Sequence, residues 1–154
     1  MPEPTIRARL GRRFDPSELR DIKRLWIRHS LAENDRNIDG LLATLTDDAV
    51  YEMVPTRQKW HGLNGARAYY TELFGAFPDN TFEMTEIVVG PQGVFEAARL
   101  RATFTGPFTG FAPTGLPVDL EVLILFPWDP EARLFKGEKI WFDVRDLVPT
   151  SGGS

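Results

Sequence analysis

The spacing of apolar residues changes along the chain from a helical period to an alternating one. Between Asp15 and Pro78, apolar positions recur every three or four residues, as on one face of a helix. From Thr81 onwards, apolar and polar positions alternate in short runs separated by turns rich in glycine and proline, which is typical of strands. Helices early and a strand meander late predict an α+β domain, with helices on one face of a curved antiparallel sheet.

Three helices are predicted in the first half of the chain. The segment 15–18, Asp-Pro-Ser-Glu, combines a capping residue, a proline at the first helical position and a carboxylate at the third. The apolar stripe that follows it consists of Leu19, Ile22, Leu25, Trp26 and His29. A second, short helix is predicted around Ile38 to Leu45, and a third runs from Leu63 to Phe77, because Pro78 cannot continue it.

Five strands are predicted, and they are Ala49–Val54, Thr81–Val89, Val94–Phe104, Val118–Phe126 and Leu134–Phe142. A sheet curled around a helix forms a cone with a blind apolar pocket, which suits a hydrophobic small molecule. The run Val118–Phe126 is apolar at both parities, so Leu123 and Leu125 should face away from Val122, Ile124 and Phe126. We therefore expect a homodimer through the outer face of the sheet.

Composition narrows the available chemistry. The chain has no cysteine, two histidines and 22 acidic residues, and 12% of its residues are aromatic. Thiol nucleophiles and disulfides are thus excluded, and neither a metal site nor any cofactor is expected. A net charge of −4 argues against nucleic-acid binding, and no apolar run is long enough to span a membrane. Carboxylates and aromatic walls remain the most plausible means of catalysis.

The ends of the chain differ from its middle. Residues 1–14 carry four arginines against one glutamate and are expected to form a flexible basic arm. A single domain is predicted over residues 15–148, and residues 149–154 are expected to be a disordered tail. The first residues lack the apolar region of a secretory signal, so a cytoplasmic location is the default expectation.

Four motifs, in order, resemble those of the SnoaL-like polyketide cyclases of the nuclear transport factor 2-like superfamily. Trp60-His61-Gly62 followed by Tyr69-Tyr70 is similar to the entry of a family helix, and Phe77-Pro78-Asp79 to its exit. The segment 103–115 follows the family's loop of threonine, glycine and proline. The segment 137–143, Gly-Glu-Lys-Ile-Trp-Phe-Asp, is similar to its closing strand. The resemblance implies a cone-shaped α+β fold of nuclear transport factor 2-like type.

The resemblance also implies cofactor-free ring closure by aldol condensation, with an aspartate as general base. The matching residue is Asp143. Alternation places it with Lys139 and Trp141, where aromatic surface would desolvate the carboxylate and raise its pKa. The alternative is an aspartate that caps the following turn and pairs with Arg145.

One position departs from the family pattern. The resembled loop usually carries a histidine as hydrogen-bond donor where this chain has Phe104. His29, on the inner stripe of the first predicted helix, is the candidate replacement; the alternative for it is a bond to a backbone carbonyl at a helix boundary. Tyr51 has a hydroxyl that could polarise a carbonyl group. The expected binding residues are Trp26, Tyr51, Trp60, Phe74, Phe104 and Trp141.

Two functions follow. The first is a cofactor-free cyclase or isomerase that acts on a hydrophobic, polyketide-like carbonyl compound. The second is a non-catalytic small-molecule-binding or assembly domain of the same fold, which the absence of a histidine at Phe104 motivates.

Overall fold

The computed structural model describes residues 2–148, so the predicted tail at 149–154 lies outside the described residues. Four helices, α1 to α4 in chain order, cover Ile6–Leu10, Pro16–Asn34, Ile38–Leu42 and Gly62–Ala76. Six strands, β1 to β6, cover Leu45–Met53, Gln58–His61, Thr81–Gly90, Gly93–Thr103, Pro117–Asp129 and Leu134–Trp141. A short 3₁₀ helix, Val144–Asp146, follows the last strand.

The six strands form one curved, unclosed sheet in the order β2-β1-β6-β5-β4-β3. The predicted α+β class and the nuclear transport factor 2-like fold are confirmed. One pair differs from the expected antiparallel arrangement, because β1 runs parallel to β6 at the centre of the sheet. The sequence pattern also did not predict β2, which pairs with β1 through Tyr51 and Trp60.

The capping motif of α2 is confirmed. The Asp15 carboxylate accepts a hydrogen bond of 2.8 Å from the Glu18 backbone N–H, and Pro16 begins the helix. The inner stripe of α2 buries Ile22, Leu25 and His29 against the sheet. The imidazole of His29, the polar residue of this stripe, therefore lies inside the cone.

The basic arm makes specific contacts with the domain. It contains helix α1, and Arg12 forms an ion pair with Glu18 while donating a hydrogen bond of 2.8 Å to the Pro91 carbonyl. Glu18 is buried and also accepts a bond of 2.8 Å from the Trp128 indole. The Arg12 hydrogen bond outweighs the desolvation of Glu18 and lowers the pKa of that carboxyl.

A bulge in β6 decides which side chains enter the cone. Gly137 has φ of +108°, and a Cβ atom there would lie 2.0 Å from the Val50 carbonyl oxygen, so the position requires glycine. Phe135, two residues before Gly137, and Glu138, one residue after it, are both buried despite their odd spacing. The bulge therefore turns Glu138 into the interior with the same orientation as Ile140.

Candidate active site

A buried polar cluster lies inside the cone and consists of His29, Tyr51, Tyr70 and Glu138. These residues come from α2, β1, α4 and β6, and each is at most 2% exposed. The Tyr70 hydroxyl donates to a Glu138 carboxyl oxygen at 2.6 Å, and the Tyr51 hydroxyl lies 2.6 Å from the Tyr70 hydroxyl. His29 Nε2 is 3.2 Å from the same Glu138 oxygen and 3.1 Å from the Tyr70 hydroxyl.

The direction of the hydrogen bonds follows from counting protons. Thr44 donates its only hydroxyl proton to the Leu41 carbonyl at 2.7 Å, so it must accept from His29 Nδ1 at 2.8 Å. The Nδ1 nitrogen of His29 is therefore protonated. Because Tyr70 already donates to Glu138, Tyr51 is the donor between the two tyrosines.

His29 Nε2 also contacts Glu138. It lies at an ion-pair distance of 3.2 Å from the carboxyl oxygen, and the Tyr70 hydroxyl is 3.1 Å from the same nitrogen. A buried imidazole and a carboxyl group this close form an arrangement suited to acid–base work.

Burial keeps the two tyrosines protonated. Desolvation, followed by the nearby charge of Glu138, raises the pKa of Tyr51 and of Tyr70 well above the ordinary tyrosine value. Both hydroxyls therefore keep their protons and act as hydrogen-bond donors, and neither is a base.

A small cavity adjoins the cluster. It has a volume of about 20 Å³, measured as the space open to the centre of a water molecule, which is room for one water. Glu138, Tyr70 and Glu33 supply its polar lining. The remainder is apolar or aromatic and comprises Met53, Tyr69, Leu73, Phe77, Phe82, Leu100, Phe108, Leu120, Val122, Ile124, Ile140 and Phe142.

A wider crevice opens between α2 and the strands β3 and β4. Its volume on the same measure is about 190 Å³, and it shares Glu33, Phe82 and Ile124 with the inner cavity. Trp26, Ser30 and Glu96 also line it. His29 also lines the crevice, so the crevice borders the polar cluster directly.

Asp143 lies elsewhere. Its side chain is 42% exposed, caps the 3₁₀ helix through the Arg145 backbone N–H, and pairs with the Arg145 guanidinium at 2.6 Å. The Arg145 side-chain hydrogen bond, supported by that backbone bond, lowers the pKa of Asp143 to about 2. The expected rise in its pKa was wrong, because Asp143 lies beyond the end of β6 at the surface, where Arg145 pairs with it. The contacts are those of the capping alternative.

The structure separates the expected binding residues. Trp26 lines the crevice, and Tyr51 joins the polar cluster. Phe74 stacks on Tyr70 with ring centroids 5.8 Å apart, and Trp60 packs against Tyr69 at 5.2 Å. Phe104 is fully buried against Phe77. Trp141 lies on the outer face, 6.5 Å from the Phe95 ring.

Of the two candidate catalytic residues, the structure brings only His29 into the polar cluster, where its Nδ1 partner is the Thr44 hydroxyl and not a backbone carbonyl. Sequence reasoning missed Glu138 and Tyr70. Glu138 has the same parity as Ile140 and Phe142 in the last predicted strand, and a carboxylate in line with two apolar residues is a signal that alternation could have provided.

Comparison with known proteins supports the expected family. The model for SnoaL-like polyketide cyclases matches residues 22–132, which is most of the chain. The chain therefore belongs to the SnoaL-like polyketide cyclase family, and this membership supports a cyclase-type function. No functionally curated protein matches it in sequence.

Solved structures share the fold at low sequence identity. A protein of Jannaschia sp. CCS1, described as a candidate SnoaL-like polyketide cyclase, is 21% identical with a TM-score of 0.72, covering 91% of this chain and 99% of that one. SalBIII, an epoxide hydrolase/cyclase-like enzyme in pyran ring formation in the polyether salinomycin, is 18% identical with a TM-score of 0.66, covering 82% and 94%.

An LEH-like epoxide hydrolase of M. tuberculosis is 21% identical with a TM-score of 0.64, covering 84% of this chain and 88% of that one. Identities this low show the shared fold alone. Within residues 2–148, no helix is long and apolar enough to cross a membrane.

Proposed function

We propose that the protein is a cofactor-free acid–base enzyme that closes a ring in a hydrophobic carbonyl compound, with Glu138 and His29 as the proton-transferring pair. The observation that carries this proposal is the 3.2 Å contact between Glu138 and His29 Nε2, a buried carboxyl–imidazole pair beside an apolar cavity. The cyclase-type family membership supports the reaction class.

The proposed reaction begins with proton removal. The Glu138 carboxylate takes a proton from a carbon next to a carbonyl group, and the electron pair of that C–H bond forms an enolate. Once Glu138 is protonated, the Tyr70 hydroxyl no longer donates to a carboxylate and is free to donate to the enolate oxygen. The raised pKa of Tyr70 keeps that proton in place.

Ring closure follows within the same molecule. The enolate carbon forms a bond with a second carbonyl carbon, and the resulting alkoxide takes a proton from the pair of Glu138 and His29. Loss of water from the aldol product completes the condensation. No redox partner is required, since the proton that leaves the carbon returns to an oxygen of the same substrate.

The competing assignment keeps Asp143 as the general base, as the family resemblance implies. Its exposed position and its lowered pKa of about 2 make it a weaker base than a desolvated carboxylate. It stays a prediction to be tested against Glu138 under identical conditions.

An aryl 1,5-diketone tests the proposed reaction. 1-Phenylhexane-1,5-dione closes to 3-phenylcyclohex-2-enone with loss of one water, and the conjugated product is followed by absorbance. We expect the protein to accelerate this closure above the buffer rate. Acceleration of styrene oxide hydrolysis without diketone closure would instead assign ring opening, and binding of the diketone without turnover of either probe would contradict the enzyme proposal.

The second candidate is a binding domain without catalysis. Phe104 favours it, because this residue is fully buried against Phe77 and supplies no donor where the family loop usually has one. On this hypothesis, the polar cluster would fix the shape of the cone. Glu138→Gln would then change ligand affinity, and neither the variant nor the wild type would turn over a substrate.

A homodimer through the outer sheet face is also proposed. In β5, Leu123 and Leu125 are half-buried and lie opposite the buried Val122 and Ile124, as the alternation predicted. Phe95 is 39% exposed beside Leu125 in the register, and this apolar surface supports the proposal. We expect sedimentation to give a dimer that Leu125→Glu dissociates. A monomer at high micromolar concentration would contradict it.

A further inference from the structure

Helix α2 carries a basic stripe on the side that faces away from the sheet. Its inner side is buried in the core, and none of its exposed residues is acidic. The exposed positions recur three or four residues apart, so they lie on one side of the helix. The basic stripe consists of Arg20, Lys23, Arg24, Ile27, Arg28 and Leu31. Four of these six residues are cations, which makes this side of the helix strongly positive.

The cations of the basic stripe have no internal partners. Within the described range 2–148, none of the four takes part in an ion pair or a side-chain hydrogen bond. Asp21, a half-buried acid of the same helix, pairs with Arg133 at 2.7 Å instead. The chain as a whole has a net charge of −4, so the positive charge of α2 is a local concentration. Like charges this close repel one another, and an anionic partner relieves that repulsion.

Large aliphatic side chains stand in water among these cations. Ile27 is 52% exposed and Leu31 is 58% exposed, and the two lie one helical turn apart. Helix α1 repeats the pattern, because Ile6 and Leu10 are 72% and 77% exposed, one turn apart, with Arg7 between them. Aliphatic surface gains free energy when it leaves water. Both helices therefore combine unpaired positive charge with apolar groups that a partner would bury.

We propose that the basic stripe, together with α1, docks on the surface of an anionic phospholipid bilayer. The headgroup phosphates pair with the cations, and the aliphatic side chains enter the interfacial region, as in helices that lie on membranes. The stripe is the convex side of a helix, and a bilayer of mobile headgroups adapts to it without a matching groove. The ion pair between Arg12 and Glu18 holds α1 at the first turn of α2. Ser30 and Asn34 line the crevice and lie beside Leu31 on α2, so docking turns the mouth of the crevice toward the lipid.

Sedimentation of the full chain with lipid vesicles tests the proposal without any measurement of turnover. One set of vesicles is phosphatidylcholine alone, and the other contains about one third phosphatidylglycerol, which is anionic. We expect the protein to sediment with the anionic vesicles only, and to be released as the salt concentration rises to about 0.5 M. Equal binding to the two sets of vesicles, or binding to neither, would overturn the proposal.

A charge variant locates the binding surface. The double variant Lys23→Gln with Arg24→Gln should bind anionic vesicles at least about tenfold more weakly, because each cation near an anionic surface contributes a factor of about five. The matched control is Arg57→Gln with Lys59→Gln, which removes the same charge from exposed positions in the hairpin of β1 and β2. The control should stay within about threefold of wild type. Equal losses in the two double variants would show that net charge drives binding and would overturn the role of the stripe.

An aliphatic variant separates a lipid partner from an acidic protein. Ile27→Ser with Leu31→Ser keeps every charge of the stripe, and we expect it to bind anionic vesicles at least about fivefold more weakly, since less apolar surface enters the bilayer. Soluble polyglutamate represents an acidic protein, and its affinity should be the same for the variant and the wild type. If the variant bound anionic vesicles as tightly as wild type, the aliphatic side chains would play no part. That result would favour an acidic protein as the partner and overturn the lipid assignment.

Discussion

Glu138 and Asp143 belong to the same closing segment of the chain, yet their environments are opposite. Glu138 is 2% exposed and contacts His29 and Tyr70, whereas the side chain of Asp143 is 42% exposed and pairs with Arg145. β6 carries Glu138 into the cone and ends at Trp141, whereas Asp143 follows the strand as the cap of the 3₁₀ helix and lies at the surface. A motif position therefore indicates a candidate residue, but the local structure around it decides its chemistry.

Apart from the loss of Glu138 itself, the largest expected effect comes from removing its hydrogen-bond donor, Tyr70. Tyr70→Phe removes the hydroxyl between Tyr51 and Glu138, and we expect the rate of diketone closure to fall about 10²-fold. If Tyr70 and Glu138 act as one unit, the double variant with Glu138→Gln should be no slower than the slower single variant. Steady-state rates of the three variants check this. Multiplicative losses would show that the two residues act independently.

The second prediction concerns how the buried carboxyl group of Glu96 makes the free energy of unfolding depend on pH. The folded-state pKa of Glu96 is about 8, above the ordinary value of 4.5, so the folded protein binds this proton more tightly than the unfolded chain. Its contribution to the free energy of unfolding is thus full below about pH 4.5 and is lost as the pH rises to about 8.

Glu96→Gln removes this penalty. We expect the variant to exceed wild type by about 1–3 kcal/mol at pH 8 and by much less at pH 5, measured by urea denaturation. Glu86→Gln serves as the exposed control and should differ little from wild type at either pH. If the difference in free energy of unfolding between Glu96→Gln and wild type were the same at both pH values, the raised pKa of Glu96 would be contradicted.

The smallest effect is expected at the outer carboxyl group. Arg145→Ala removes the main cause of the lowered pKa of Asp143, so that pKa should rise from about 2 toward its ordinary value of 3.8. The stabilisation that the pair provides is present above about pH 3.8 and lost as the pH falls toward 2. Carbon NMR of the aspartate carboxyl groups measures the shift. An unchanged pKa would contradict the role of Arg145.

Sequence patterning predicted most of the fold because the strong signals are local. The cap at Asp15, the break at Pro78 and the hairpin after Val89 all appear in the structure. The parallel pairing of β1 with β6 was missed, since it joins distant segments and depends on a close backbone approach at Gly137.

The candidate site was predictable only in part, for a similar reason. His29 was identified from its place on the inner stripe of the first predicted helix, and Tyr51 from a hydroxyl on the first predicted strand. Their convergence on Glu138 depends on how α2, β1 and β6 pack, and no single segment encodes that geometry. The family motif emphasised Asp143, and motif similarity does not report which face of the sheet a side chain occupies.

The most direct test compares Glu138→Gln with Asp143→Asn in the diketone closure assay. Both variants remove one carboxylate and preserve the size of the side chain. We expect Glu138→Gln to lower kcat/KM by about 10²- to 10⁴-fold, the usual contribution of a general base, and Asp143→Asn to stay within about twofold of wild type. A large loss in Asp143→Asn with an unaffected Glu138→Gln would contradict the assignment of the buried cluster as the acid–base site.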